Sequence, residues 1–141
     1  MRDACLGPPC QTRHVAILHD VVIDCRHPAS LARFWAAAVH GYRVAPYDDA
    51  ELERLRVNGI NDPEDDPSVL VESDPGVRPR LWFQLVPESK RTKNRVHLDL
   101  QASDRTAEVA RLVGLGASVI GEFDGWTMLV DPEGNEFCVR D

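Results

Sequence analysis

Residues 93–101 read Lys93-Asn94-Arg95-Val96-His97-Leu98-Asp99-Leu100-Gln101. From Val96 onward apolar and polar residues alternate, which predicts a half-buried strand with Val96, Leu98 and Leu100 turned inward and His97, Asp99 and Gln101 turned outward. Exposed strand faces more commonly carry Lys, Thr, Glu or Ser. A row of His, Asp and Gln brings groups that can ligate a metal, move a proton or hydrogen-bond a ligand, so this strand is the first candidate for a functional surface.

The chain around it is 141 residues long and 43% hydrophobic, enough for one globular unit that builds its core without disulfides. Its formal net charge of -7 argues against nucleic acid or an anionic membrane surface as a partner. No apolar run reaches the length of a membrane span, and Met1 to His14 lacks the apolar segment of a signal peptide. The expectation is a cytoplasmic protein whose four cysteines are reduced thiols.

Working outward, residues 1–13 carry Gly7-Pro8-Pro9 and read as a flexible tail. Its Cys5 and Cys10 lack the second pair that a zinc site needs. Residues 15–25 predict a first strand. Leu31, Phe34, Trp35, Ala38 and Val39 then recur at helical spacing, with Gly41 as the stop, and His40 falls in the last helical turn. A strand over 42–47, a short helix over 48–58 and a loop over 61–67 follow. The acids of that loop lack the ligand spacing of a calcium loop. Strands are predicted over 68–72 and 80–86, split by Asp74-Pro75-Gly76. After the strand at 95–101 come a helix over 104–115 and strands over 117–123, 126–130 and 136–140, the last two joined by Asp131-Pro132-Glu133-Gly134-Asn135.

Both halves therefore read strand, helix, then three strands, and the helices share a phrase, Leu31-Ala32-Arg33-Phe34 against Val109-Ala110-Arg111-Leu112. This predicts an α+β fold of two tandem βαβββ modules, 14–90 and 91–141, each with one sheet face covered by its helix. The two remaining sheet faces, curving toward each other, would enclose an incompletely closed, barrel-like cavity.

Several phrases give the chain a family likeness: Val22-Ile23-Asp24-Cys25, Phe83-Gln84-Leu85-Val86-Pro87-Glu88, the strand containing His97, and Trp126 through Cys138 with its Asp-Pro-Glu-Gly-Asn-Glu turn. Together they resemble the glyoxalase/bleomycin-resistance/extradiol-dioxygenase (vicinal oxygen chelate) superfamily, in its glyoxalase-like domain branch, from about residue 18 to 140. That superfamily hosts isomerases, lyases, dioxygenases, thiol transferases and metal-free drug-binding proteins, so the likeness implies a fold more narrowly than a reaction. The resemblance implies a divalent-metal site fed by the first and last strand of each module. His97 and Glu136 match it in module two. In module one, strand alternation offers Asp20, whereas aligning the helices offers His19. Alternation is preferred, because the other register would bury Asp20 and Asp24 beneath a helix. Gln84 is taken as the counterpart of Glu136.

One imidazole, two carboxylates and an amide would suit Mn, Fe, Ni, Co or Zn. With a metal, the expectation is a lyase, isomerase or dioxygenase acting on a small oxygenated substrate, with Glu136 as ligand or proton-transferring base. Without one, it is a small-molecule (drug or metabolite) binding or resistance protein. Its pocket would be made by Asp24 and Asp99 with Trp82 or Phe83 and Trp126, while Trp35 serves as helix packing and Cys25 and Cys138 as core thiols. A homodimer through exposed sheet edges is also expected.

Overall fold

The computed structural model describes residues 15–141, so the expected tail over 1–13, with Cys5 and Cys10, lies outside the described residues. Two four-stranded sheets form the molecule, and they do not join into a closed barrel. In chain order the first half contains β1 (Asp20–Cys25), α1 (Pro28–Ala38), β2 (Arg43–Val44), α2 (Asp49–Val57), a 3-10 turn (Pro63–Asp65), β3 (Ser68–Glu72) and β4 (Arg80–Leu85). The second contains β5 (Leu98–Gln101), α3 (Arg105–Leu115), β6 (Ser118–Phe123), β7 (Trp126–Val130) and β8 (Glu136–Arg140).

The repeat is reproduced in the topology. The sheets run β1-β4-β3-β2 and β5-β8-β7-β6, and in each the first strand pairs parallel with the last. Parallel pairing requires a crossover, and in each module the helix and the two intervening strands supply it. Alternation sorts the faces as expected. Val21, Ile23 and Cys25 pair in register with Leu81, Phe83 and Leu85, while Asp20, Val22 and Asp24 pair with Arg80, Trp82 and Gln84 on the open face. Asp20 thus takes the face that alternation assigned to it.

Two local expectations are revised. The first and fifth strands are shorter than predicted, starting at Asp20 and Leu98. Val15, Ile17, Leu18 and Val96 are exposed, so apolar periodicity there does not reflect burial. Helix α1 stops at Ala38, which leaves His40 outside its last turn and exposed.

The core is also shared between modules; each helix does not cover its own sheet alone. Leu31, Ala32, Phe34, Trp35 and Ala38 of α1 are buried in one cluster with Val69, Val71 and Phe83 of the first sheet and Leu129, Phe137 and Val139 of the second. The Trp35 and Phe137 rings meet edge-on at 5.2 Å, and Phe34 lies 6.2 Å from Phe137. Helix α3 fully buries only Leu112. Burial of a side chain such as Phe137 is worth about 1.5–3 kcal/mol, so this contact set is the main tie between the halves.

Candidate functional site

The turn between β7 and β8 explains why the Asp-Pro-Glu-Gly-Asn-Glu phrase is built as it is. Asp131 is 3% exposed, and its carboxylate accepts from Glu133 N, Asn135 N, Asn135 Nδ2 and Trp35 Nε1. A buried carboxylate is tolerated only with that many donors. Gly134 closes the turn at φ +87°, where a side chain would be strained. Beyond it, Asn135 takes a bond from Asn94 Nδ2, and Glu136 begins β8.

A cleft of about 230 Å³ opens beside this turn, lined by Val21 to Asp24 of β1 and by Val96 to Leu98 before and in β5. Trp35, Asn94, Asn135 and Glu136 complete its wall. The cleft lies where the first strands of the two modules approach, and its polar groups include Asp24, His97 and Glu136. A wider groove of about 740 Å³ between the end of α1 and α3 takes in Asp99 and Gln101.

The expected metal ligands are distributed as follows. Leu98 pairs with Phe137, so one residue earlier His97 lies beside Glu136, and both line the cleft. Glu136, however, accepts from Lys90 Nζ at 3.1 Å and from Asn94 N at 3.2 Å. Burial pushes its carboxyl up, but its own backbone amide, Lys90 and Asn94 outweigh that and hold it below the usual range. Asp20 is clamped by Arg80, Nε to Oδ1 at 2.7 Å and Nη2 to Oδ2 at 2.9 Å, with His19 Nδ1 at 2.9 Å. Arg80's hydrogen bonds lower the Asp20 pKa to about 2.

The ladder places Arg80, not Gln84, beside Asp20; Gln84 pairs with Asp24 at the exposed end of the strand. Among the described residues, Asp20, His97 and Glu136 do not converge on one point. Two carboxylates of the donor set implied by the family likeness, Asp20 and Glu136, are paired with Arg80 and Lys90 in this arrangement.

Of the expected pocket residues, Asp24 lines the cleft. Trp82 lies beneath Arg80, whose guanidinium carbon is 5.9 Å from the ring centroid. Trp126 stacks on Phe123 at 3.9 Å, a packing allowed by Gly121, where a Cβ would come within 2.8 Å of the Phe123 ring. Phe83 is wholly buried, and neither Trp82 nor Trp126 lines the cleft. Trp35, expected as packing, is buried in the core and also borders the cleft.

Asp99 Oδ1 lies 3.4 Å from His97 Nε2, and Asp99 pairs in register with Cys138. Cys138 is buried, and burial, followed by the charge of Asp99, pushes its thiol up. Sequence reasoning treated Cys138 as core alone and missed Lys90 and Arg80. The Cys138 neighbourhood had a signal, since residues two beyond His97 and two beyond Glu136 on parallel partner strands must be neighbours.

The glyoxalase-like domain family profile matches residues 20–140. No curated protein matches the chain. A glyoxalase/bleomycin resistance protein/dioxygenase family enzyme from Burkholderia phytofirmans PsJN is 18% identical, with 88% of this chain and 97% of that chain covered and a TM-score of 0.59. The fosfomycin resistance protein FosX from Mesorhizobium loti is 14% identical over 90% of this chain and 92% of its own, with a TM-score of 0.61. A variant of FosX from Listeria monocytogenes, complexed with Mn(II) and a dihydroxypropylphosphonic acid, is 7% identical over 90% of each chain, with a TM-score of 0.57. At these identities the likeness shows a shared fold. The profile match spans nearly all of the described residues, and the chain belongs to the glyoxalase-like domain family.

Proposed function

We propose that this protein binds a small organic molecule, a drug or metabolite, in the cleft between β1 and β5. The observation that carries this reading is the combination of apolar walls from both modules (Val21, Val22, Val96, Leu98) with the exposed carboxylate of Asp24 and the imidazole of His97. Such a pocket favours a ligand with an apolar body and a hydrogen-bond-donating or cationic end. Because Glu136 is held by Lys90 and Asp20 by Arg80, binding in this reading uses no ion on those two carboxylates.

The second reading is a metal-dependent lyase, isomerase or dioxygenase using His97, Glu136, Gln84 and Asp20. The ladder neighbours His97 and Glu136 favour it, as does the Mn(II) held by a FosX of the same fold. It requires Lys90 to leave Glu136 and Arg80 to leave Asp20. In that reading Glu136, released from Lys90, would serve as ligand or as proton-transferring base.

The edge strand β6, which exposes Ile120 and Phe123, is a surface a second copy would cover; sedimentation across a concentration series checks for a homodimer. The binding reading is tested by screening ammonium- and imidazolium-bearing fragments by NMR. Amide shifts should cluster at 21–24 and 96–98 and disappear in Asp24→Asn. Hits clustered elsewhere, or undiminished in that variant, would overturn it.

A further inference from the structure

Among the described residues, a single group of three His, Cys, Asp or Glu side chains brings its ligand atoms within 4.8 Å of one another: His97, Asp99 and Cys138. The backbone sets it. His97 and Asp99 are two residues apart on one strand face, and Asp99 and Cys138 are register partners across the parallel β5–β8 pair. His97 Nε2 and Asp99 Oδ1 are 3.4 Å apart. A tetrahedral ion with bonds of about 2.0–2.1 Å holds neighbouring N and O ligands about 3.3 Å apart, so this spacing needs almost no rearrangement. The other Asp99 oxygen faces Arg140 Nη1 at 3.6 Å, which orients the carboxylate from behind.

We propose that His97 Nε2, a carboxylate oxygen of Asp99 and Sγ of Cys138 form a three-ligand site for a borderline divalent ion of the zinc, cobalt or nickel kind. This set is shifted one step along the ladder from the pair His97 and Glu136. The donor types fit that class of ion: imidazole and thiolate select it over magnesium or calcium, which take oxygen ligands. As the metal–sulfur bond forms, the thiol proton passes to solvent. Three protein ligands leave a fourth position open, the arrangement of a catalytic rather than a structural site. His97 is shared with the cleft, so the open position is near a bound molecule. The proposal goes beyond the cleft-binding reading and stands without it.

The test uses the full chain in a Cys5→Ser/Cys10→Ser background, stripped with chelator and titrated with Co(II) alone. The expected result is one Co(II) per chain with tetrahedral d–d bands and a thiolate-to-cobalt charge-transfer band in the near ultraviolet. Cys138→Ser should remove the charge-transfer band. Asp99→Asn and His97→Ala, both at exposed side chains, should weaken binding about tenfold or more, whereas Glu136→Gln should leave affinity and spectrum unchanged. Absence of the charge-transfer band in the parent protein overturns the proposal even if Cys138→Ser folds poorly. So does binding that Glu136→Gln abolishes and Cys138→Ser preserves, or binding no tighter than that of His97→Ala. Fragment shifts in the cleft report separately on the ligand reading.

Discussion

Glu133 and Arg111 hold opposite ends of one helix, α1, and both come from the other module. The Glu133 carboxylate accepts from Arg26 N at 2.6 Å and His27 N at 2.9 Å, where α1 has no side-chain cap of its own. Arg111 donates to Ala37 O at 2.8 Å and Ala38 O at 2.9 Å. Acid at the amino end and base at the carboxyl end both oppose the helix dipole while satisfying orphan backbone groups. The two contacts, with the Trp35–Asp131 bond between them, fasten the halves through a single element.

Each cap should therefore behave as a stability element. Glu133→Ala and Arg111→Ala should each cost about 1–2 kcal/mol in denaturant melts. Being at the two ends of an 11-residue helix, they should add to within about 0.5 kcal/mol in the double variant. Strong non-additivity would show that the helix is not capped independently at its two ends.

The Asp131 network predicts a further asymmetry. Trp35→Phe removes the indole N–H and leaves a buried carboxylate one donor short, which should cost about 1–3 kcal/mol. Asp131→Asn keeps the size but loses the charge that three or more N–H donors converge on, and should cost at least as much. Thermal unfolding of both variants checks the order.

How much of this was readable beforehand follows from where the information lies. Alternation in β1 put Asp20, Val22 and Asp24 on the open face because burial of Val21, Ile23 and Cys25 is local to that strand. Alternation misled at Val96, which is apolar yet 75% exposed just ahead of β5. The partners of Asp20 and Glu136 could not be reached that way. Arg80 is 60 residues from Asp20 and Lys90 is 46 from Glu136, so finding them requires the β1–β4 register and the path of the connector. The family likeness offered Gln84 as the counterpart of Glu136, and the ladder places Arg80 beside Asp20 and Gln84 beside Asp24.

Asp20, Glu108 and Glu136, each beside a cation and each with its carboxyl below the usual range, contribute to the acid limb of stability. Asp20 is lowered from 3.8 to about 2, first by Arg80's hydrogen bonds, and Glu136 is lowered despite burial. A carboxyl lowered in the folded state contributes stability that is complete above its unfolded pKa and is lost as pH falls through the folded value. Melting temperature should accordingly fall between about pH 4 and pH 2, and Asp20→Asn should flatten part of that fall. An acid limb identical in the parent and Asp20→Asn proteins would show that the Arg80 pair has no net effect.

Cys25 should be silent toward thiol reagents. It is 3% exposed, and burial, then the charge of Glu133, pushes its pKa up to about 12. In the Cys5→Ser/Cys10→Ser background, iodoacetamide at pH 8 should label Cys25 only when denaturant is added. Rapid native labelling, located by peptide mass, would show that the first sheet opens at its β1 edge.

Lys90 is the side chain on which the two readings of the cleft separate. Its Nζ is bound to Glu136 Oε1 at 3.1 Å and to Thr92 O at 2.8 Å, so it closes the connector over the start of β8. Replacing it in Lys90→Met keeps the stem and removes the charge, leaving Glu136, 11% exposed at its side chain, with the Asn94 amide as its remaining partner from the connector. Without added metal the variant should lose about 1–3 kcal/mol, because a partly buried carboxylate has lost its counter-charge. With Mn(II) the freed carboxylate lies beside His97 on the ladder, and the variant should recover stability in a concentration-dependent way that the parent protein does not show. If the parent is stabilised by Mn(II) as much as Lys90→Met, the lysine does not block the carboxylate and the metal-dependent enzyme becomes the better account. If Mn(II) stabilises neither, His97 and Glu136 are ladder neighbours without a shared ion, and cleft binding stands without one at Glu136.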